Sequence, residues 1–167
     1  KMLLAAVCLT AFVTPLAFAE SKIELDAKVQ EARSTFAKHT SAGAELAAKA
    51  HGVLVFPSVI KAGFGVGGEY GEGALLIGGK TAGYYNIAAA SIGLQLGAQA
   101  RSEIILFMTA EALRNFRESQ GWKAGVDGSV ALATLGAGGS IDTDTAKKPI
   151  IGFIFSGKGL MYNLTLE

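Results

Sequence analysis

The chain has 167 residues, half of them hydrophobic and 17% charged, which suits one folded domain and excludes an intrinsically disordered chain. Its formal net charge of +1 gives no strong steering toward nucleic acid. The 22 glycines follow no three-residue period, which excludes collagen; they cluster mid-chain, as tight turns and close backbone contacts require.

Residues 1–19 open with Lys1, continue as an apolar run and end Ala17-Phe18-Ala19 before Glu20. That is the small-x-small ending of a secretory signal, and the run is short for a spanning helix. The expectation is cleavage after Ala19, leaving residues 20–167 as a single domain with net charge 0. Cys8, the one cysteine, would leave with the signal, and with it any disulfide or thiolate chemistry. Lipidation at Cys8 and an ordinary N-terminal helix are the alternatives.

Ser21 and Glu24 fit a capping box. Leu25, Val29, Ala32 and Phe36 then form one apolar stripe of a helix, and a second helix is predicted from Ser41 to Ala50, stopped at Gly52. Residues 20–51 carry five acids and five bases, so this helical region packs on the core rather than presenting a basic face to anionic lipid.

Beyond Gly52, apolar runs of strand length alternate with glycine clusters. Pro57 is predicted to stop a first strand over 53–56. Gly63, Gly65 and Gly67 alternate with Phe64 and Val66, so one strand face is bare backbone that something can approach closely. Gly78-Gly79 reads as a turn, and residues 103–108 as a central strand buried on both faces. Thr109 is a predicted N-cap for a short helix carrying Leu113 and Phe116 and ending at Gly121-Trp122. Strands over 126–141, a polar turn at 142–145, and strands at 150–155 and 160–166 complete the pattern. Nine or ten short strands grouped after helices imply an α+β fold. Its centre is a glycine-rich, strongly twisted antiparallel sheet or barrel-like β core with about three packed helices.

Sites of chemistry are sparse. Gly63-Phe64-Gly65-Val66-Gly67-Gly68 matches a dinucleotide fingerprint, but glycines follow where a helix must start. Gly78-Gly79-Lys80-Thr81 resembles the end of a phosphate loop, with Ala74 where the first glycine belongs. Neither nucleotide nor other cofactor is implied. His39 and His51 lack the carboxylate spacing of a zinc site, and Asp142 with Asp144 is too small a set for calcium. Glu69, Glu72 and Asp127 are the only residues on which a hydrolase could rest; Glu69 and Glu72 are read as solvated turn charges. Arg101 and Glu103 point to the same side of their strand and are read as sheet-edge charges, Arg101 alternatively lining a polar pocket.

Gly52 to Pro57, the ladder from Lys61 to Gly68, Gly78-Gly79-Lys80, Gly93-Leu94-Gln95-Leu96-Gly97-Ala98-Gln99 and Ser156-Gly157-Lys158-Gly159-Leu160 together resemble the SYLF domain family. The resemblance runs from His39 to the C-terminus and is closest to the family's bacterial secreted branch. It implies a barrel-like sheet with packed helices and affinity for membrane lipid, without catalytic residues. Phosphoinositide preference and the eukaryotic branch's actin partner are not carried over, because the N-terminal helix has balanced charge and the chain reads as exported. The expected function is therefore a secreted, periplasmic, non-enzymatic lipid- or membrane-binding domain. Lys61, Lys80, Arg101, Lys123 and Lys158 are its candidate head-group ligands. Its partners would be lipid head groups or acyl chains, or an envelope protein, and no nucleic acid. The alternative is a cell-envelope structural or protein-interaction module that binds no lipid.

Overall fold

The computed structural model describes residues 21–119, 121–122, 129–133, 140–156 and 159–160; for 64–66, 89–99, 156, 159 and 160 it describes the backbone. Helices α1 (Lys22–His39) and α2 (Ser41–Lys49) precede strands β1 (Gly52–Ile77) and β2 (Lys80–Phe107). Helix α3 (Ala110–Glu118), strand β3 (Ala131–Leu132), helix α4 (Thr143–Ala146) and strands β4 (Ile150–Ser156) and β5 (Gly159–Leu160) follow. The fold is α+β, as the element pattern implies. The sheet order is β1-β2-β4-β3 with β5 beside β4. Among the described residues β1 pairs only with β2 and β3 only with β4, so the twisted sheet stays open rather than closing into a barrel. Its β3–β4 pairing is parallel, whereas the other pairings are antiparallel.

Local signals set the helices. Ser21 Oγ accepts from the Glu24 amide, Thr40 Oγ1 from Gly43 and Thr109 Oγ1 from Ala112, capping α1, α2 and α3. The stripe Leu25, Val29, Ala32 and Phe36 is buried as predicted. It packs on Val53, Val55, Ala74, Leu76, Ile104, Leu106, Ile151, Phe153 and Phe155. Phe36 meets Phe153 edge-on at 4.8 Å, a geometry the ring quadrupoles favour. On the opposite face Leu54, Phe56, Val59, Leu75, Ile105, Phe107 and Ile150 pack with Phe116 of α3. Phe107 and Phe116 stack at 4.8 Å, and Trp122 stands edge-on to both. Residues 104–107 are thus buried from both sides, as their continuous apolar run requires. The predicted polar turn at 142–145 is the Asp142 cap and first turn of α4.

The main correction concerns strand number. From Gly52 to Phe107 the chain forms two strands of 26 and 28 residues, not a series of short ones. Pro57 does not end a strand. Pro57 and Ser58 together face Ser102, a bulge between Phe56↔Glu103 and Val59↔Arg101 on the free edge of β1. A bulge on an edge tolerates the missing amide proton. Gly78 and Gly79, both with positive φ (61° and 79°), make the tight turn between Ile77 and Lys80; two such residues form the hairpin turn whose twist matches the strands.

The glycine ladder bends the hairpin instead of breaking it. Between Phe64↔Leu96 and Val66↔Ile92, Gly65 alone stands against residues 93–95 of β2. The outer strand therefore takes the longer path. After the bend β1 runs back along itself. A Cβ on Gly67 would lie 2.5 Å from the Ala62 carbonyl oxygen, and one on Gly71 2.9 Å from that of Ser58. One on Gly73 would strike the Val55 oxygen and the Phe56 ring. The bare face predicted from the alternation is thus used by the strand's own backbone. No helix follows Gly68, and no dinucleotide-binding turn exists there.

Candidate functional site

The doubling of β1 brings three charged side chains together inside the protein. Arg101 and Glu103 stand two apart on β2 and share a face. Glu69 comes from the returning half of β1, within the bare row Gly67, Gly71 and Gly73, where its side chain has room. Arg101 Nη2 donates to Glu69 Oε1 at 2.6 Å and Arg101 Nε donates to Glu103 Oε1 at 2.8 Å. All three side chains are at most 5% exposed. Glu69 Oε2 and Glu103 Oε2 are buried without a hydrogen-bond partner. Burial pushes the Glu103 carboxyl up to about 7, opposed by Arg101 and reinforced by the neighbouring Glu69 carboxylate.

These placements correct two expectations. Glu69 is a buried strand residue, not a solvated turn charge, because the glycines around it build a strand. Arg101 and Glu103 do share a side, but they lie inside the sheet, with β4 covering what would have been an edge at Glu103↔Ile154. The missed signal was parity: Glu69 falls in register with Gly67, Gly71 and Gly73. A carboxylate on a face that packs backbone against backbone requires a cation opposite.

The three described candidate ligand residues, Lys61, Lys80 and Arg101, are not gathered into one site. Arg101 directs its guanidinium to the two carboxylates. Lys61 is half-buried near the bend, opposite Gln99, whereas Lys80 is exposed beside the Gly78-Gly79 turn at the other end of β1. Lys123 and Lys158 lie outside the described residues, as does Asp127. Glu72 is at the surface, where the Tyr70 hydroxyl donates to it at 3.1 Å. Among the described residues no three His, Cys, Asp or Glu side chains are grouped to hold a metal.

A second feature is the outward face of the bent arm. Ile60 is 50% and Tyr70 49% exposed. Their cross-strand partners Ala100 and Ala88 are exposed too, as are Ala62 and Gly68. Cross-strand partners share a face, so Ile60 and Ala100, and likewise Tyr70 and Ala88, form apolar pairs on the surface. Nearer the turn this face regains polar contacts to α1. Asp26 accepts from Thr81 Oγ1 at 3.1 Å and from the Tyr84 hydroxyl at 3.0 Å. Among the described residues no helix is long and apolar enough to cross a membrane.

No curated protein matches the chain. A family model does match: Ysc84, described as Las17-binding protein actin regulator, over residues 88–167. The match starts within β2 and takes in Arg101 and Glu103, while α1, α2 and β1 lie before it. It agrees with the motifs in β2 and near the C-terminus on which the SYLF resemblance rests, so residues 88–167 are similar to the Ysc84 (SYLF) family.

Proposed function

We propose that the chain is an exported, non-enzymatic domain that binds lipid or a membrane surface in the cell envelope. The observation that carries this reading is the uncovered apolar face of the bent arm, with Ile60 and Tyr70 about half exposed among alanines and glycine. The match of residues 88–167 to the Ysc84 (SYLF) family and the signal-like residues 1–19 support it. Each large apolar side chain transferred from water contributes about 1.5–3 kcal/mol, and every 1.4 kcal/mol changes affinity about tenfold. Residues 20–167 carry no net charge, so apolar contact rather than attraction to anionic head groups drives the association.

Liposome flotation tests the proposal. The protein is expected to float with neutral and anionic vesicles alike, with little loss at high salt. The Ile60→Ser/Tyr70→Ser double variant is expected to lose at least about tenfold in partitioning. Failure to float with any composition would remove the lipid claim. The family description names a protein partner for its members, which favours a second reading, an envelope protein-interaction module. A specific envelope protein captured by the chain, with no lipid in native mass spectra, would establish that reading instead. Export is checked separately by fractionating cells that express the chain with and without residues 1–19.

A further inference from the structure

The two halves of the doubled hairpin are tied at one charged point. Glu69 belongs to the returning half of β1. Arg101 and Glu103 belong to β2 where it pairs with the outgoing half, at Arg101↔Val59 and Glu103↔Phe56. Arg101 reaches one oxygen of each carboxylate and leaves Oε2 of each buried and unpartnered. One cation thus faces two carboxylates. With both ionised, the interior holds one uncompensated negative charge and two unsatisfied acceptors, a costly arrangement. A metal ion is a poor remedy, because only two carboxylates are present and Arg101 already bridges them. A proton removes the excess charge and turns one acceptor into a donor.

We propose that Glu69, Arg101 and Glu103 form a proton-operated clasp, which holds the doubled hairpin closed while one carboxyl is protonated and loosens it when both are ionised. The charged groups acting on Glu103 are Arg101, from its own strand, and Glu69, from β1. On its other side β4 (Ile150–Ser156) brings no titratable side chain, and the neighbouring Pro57 and Ser102 are uncharged. The direction follows from the pair's geometry and burial. Glu103 holds its proton up to about 7 in the folded chain, against an ordinary 4.5. The native state therefore binds the proton more tightly than the unfolded state. Its stabilisation is complete below about 4.5, declines as pH rises toward 7 and levels off above. Within that window the unfolding constant rises by up to about tenfold per pH unit. This device is independent of the lipid reading, since it concerns how the arm is held and not what the arm contacts.

Carboxyl-carbon NMR titration of the full chain is expected to give Glu103 a midpoint near 7; a midpoint in the ordinary carboxylate range would overturn the proposal. Amide exchange, corrected for the intrinsic pH effect, reads the opening itself. Residues 67–73 are expected to lose at least about tenfold in protection between pH 5 and pH 8, and Glu103→Gln is expected to abolish the difference. Equal protection at the two pH values in the unsubstituted chain, or an undiminished difference in Glu103→Gln, would refute it. If Glu103→Gln does not fold, Glu69→Gln serves, because it removes the charge that helps hold the proton on Glu103; the unsubstituted chain's titration decides the matter in either case.

Discussion

The sheet is built in two different ways along one hairpin. At its base, where β1, β2 and β4 lie between α1 and α3, side chains fill the space: Phe36, Phe153 and Phe155 on one face, Phe107, Phe116 and Trp122 on the other. In the doubled arm, backbone lies against backbone at Gly67, Gly71 and Gly73, and a single charged cluster occupies the remaining room. The base is held by non-directional burial, which scales with apolar area. The arm depends on close approach and on directional pairing, which tolerate little change in shape or charge. One hairpin can therefore be sturdy at its base and sensitive at its bend.

The sharpest way to separate the two regions is to remove one key side chain from each. Phe153→Ala in the base and Arg101→Met in the arm are each expected to destabilise by about 3–5 kcal/mol in denaturant unfolding. Only the second loss should depend on pH. Without Arg101 the buried carboxylates must be protonated, so Arg101→Met should be closer to the unsubstituted chain at pH 5 than at pH 8. Equal pH profiles for the two variants would erase the distinction between the regions.

A smaller effect tests the close approach. Gly71→Ala places a Cβ 2.9 Å from the Ser58 oxygen and should cost about 1–3 kcal/mol. Gly83→Ala first meets the Tyr85 side chain, at 3.2 Å, which can shift, and should be nearly neutral. Among the losses the smallest concerns a local feature, the start of α3. Thr109→Ala removes the α3 cap and should cost about 1 kcal/mol, without altering the pH profile.

What could be read in advance was whatever a few adjacent residues decide. The caps at Ser21 and Thr109, the stripe from Leu25 to Phe36, the Gly78-Gly79 turn and the two-sided burial of residues 104–107 all follow from spacing and residue chemistry. Pro57 and the glycines from 63 to 73 misled for a physical reason. The same residues that end strands also make bulges and bends, and the choice depends on whether a partner strand continues alongside. The candidate site was illegible on the same ground. Glu69 lies far from Arg101 in sequence, and charge near glycine is usually solvated.

The sequence alone established the class of fold, the places where helices begin, and the kinship of residues 88–167 with the Ysc84 family, because these rest on local propensity and on motif order. Tertiary structure decided that the long hairpin doubles back, that its bare face is filled by its own backbone, and that Glu69, Arg101 and Glu103 meet in the interior. Those outcomes depend on contacts between distant segments, whose energies exist only once the chain has closed on itself.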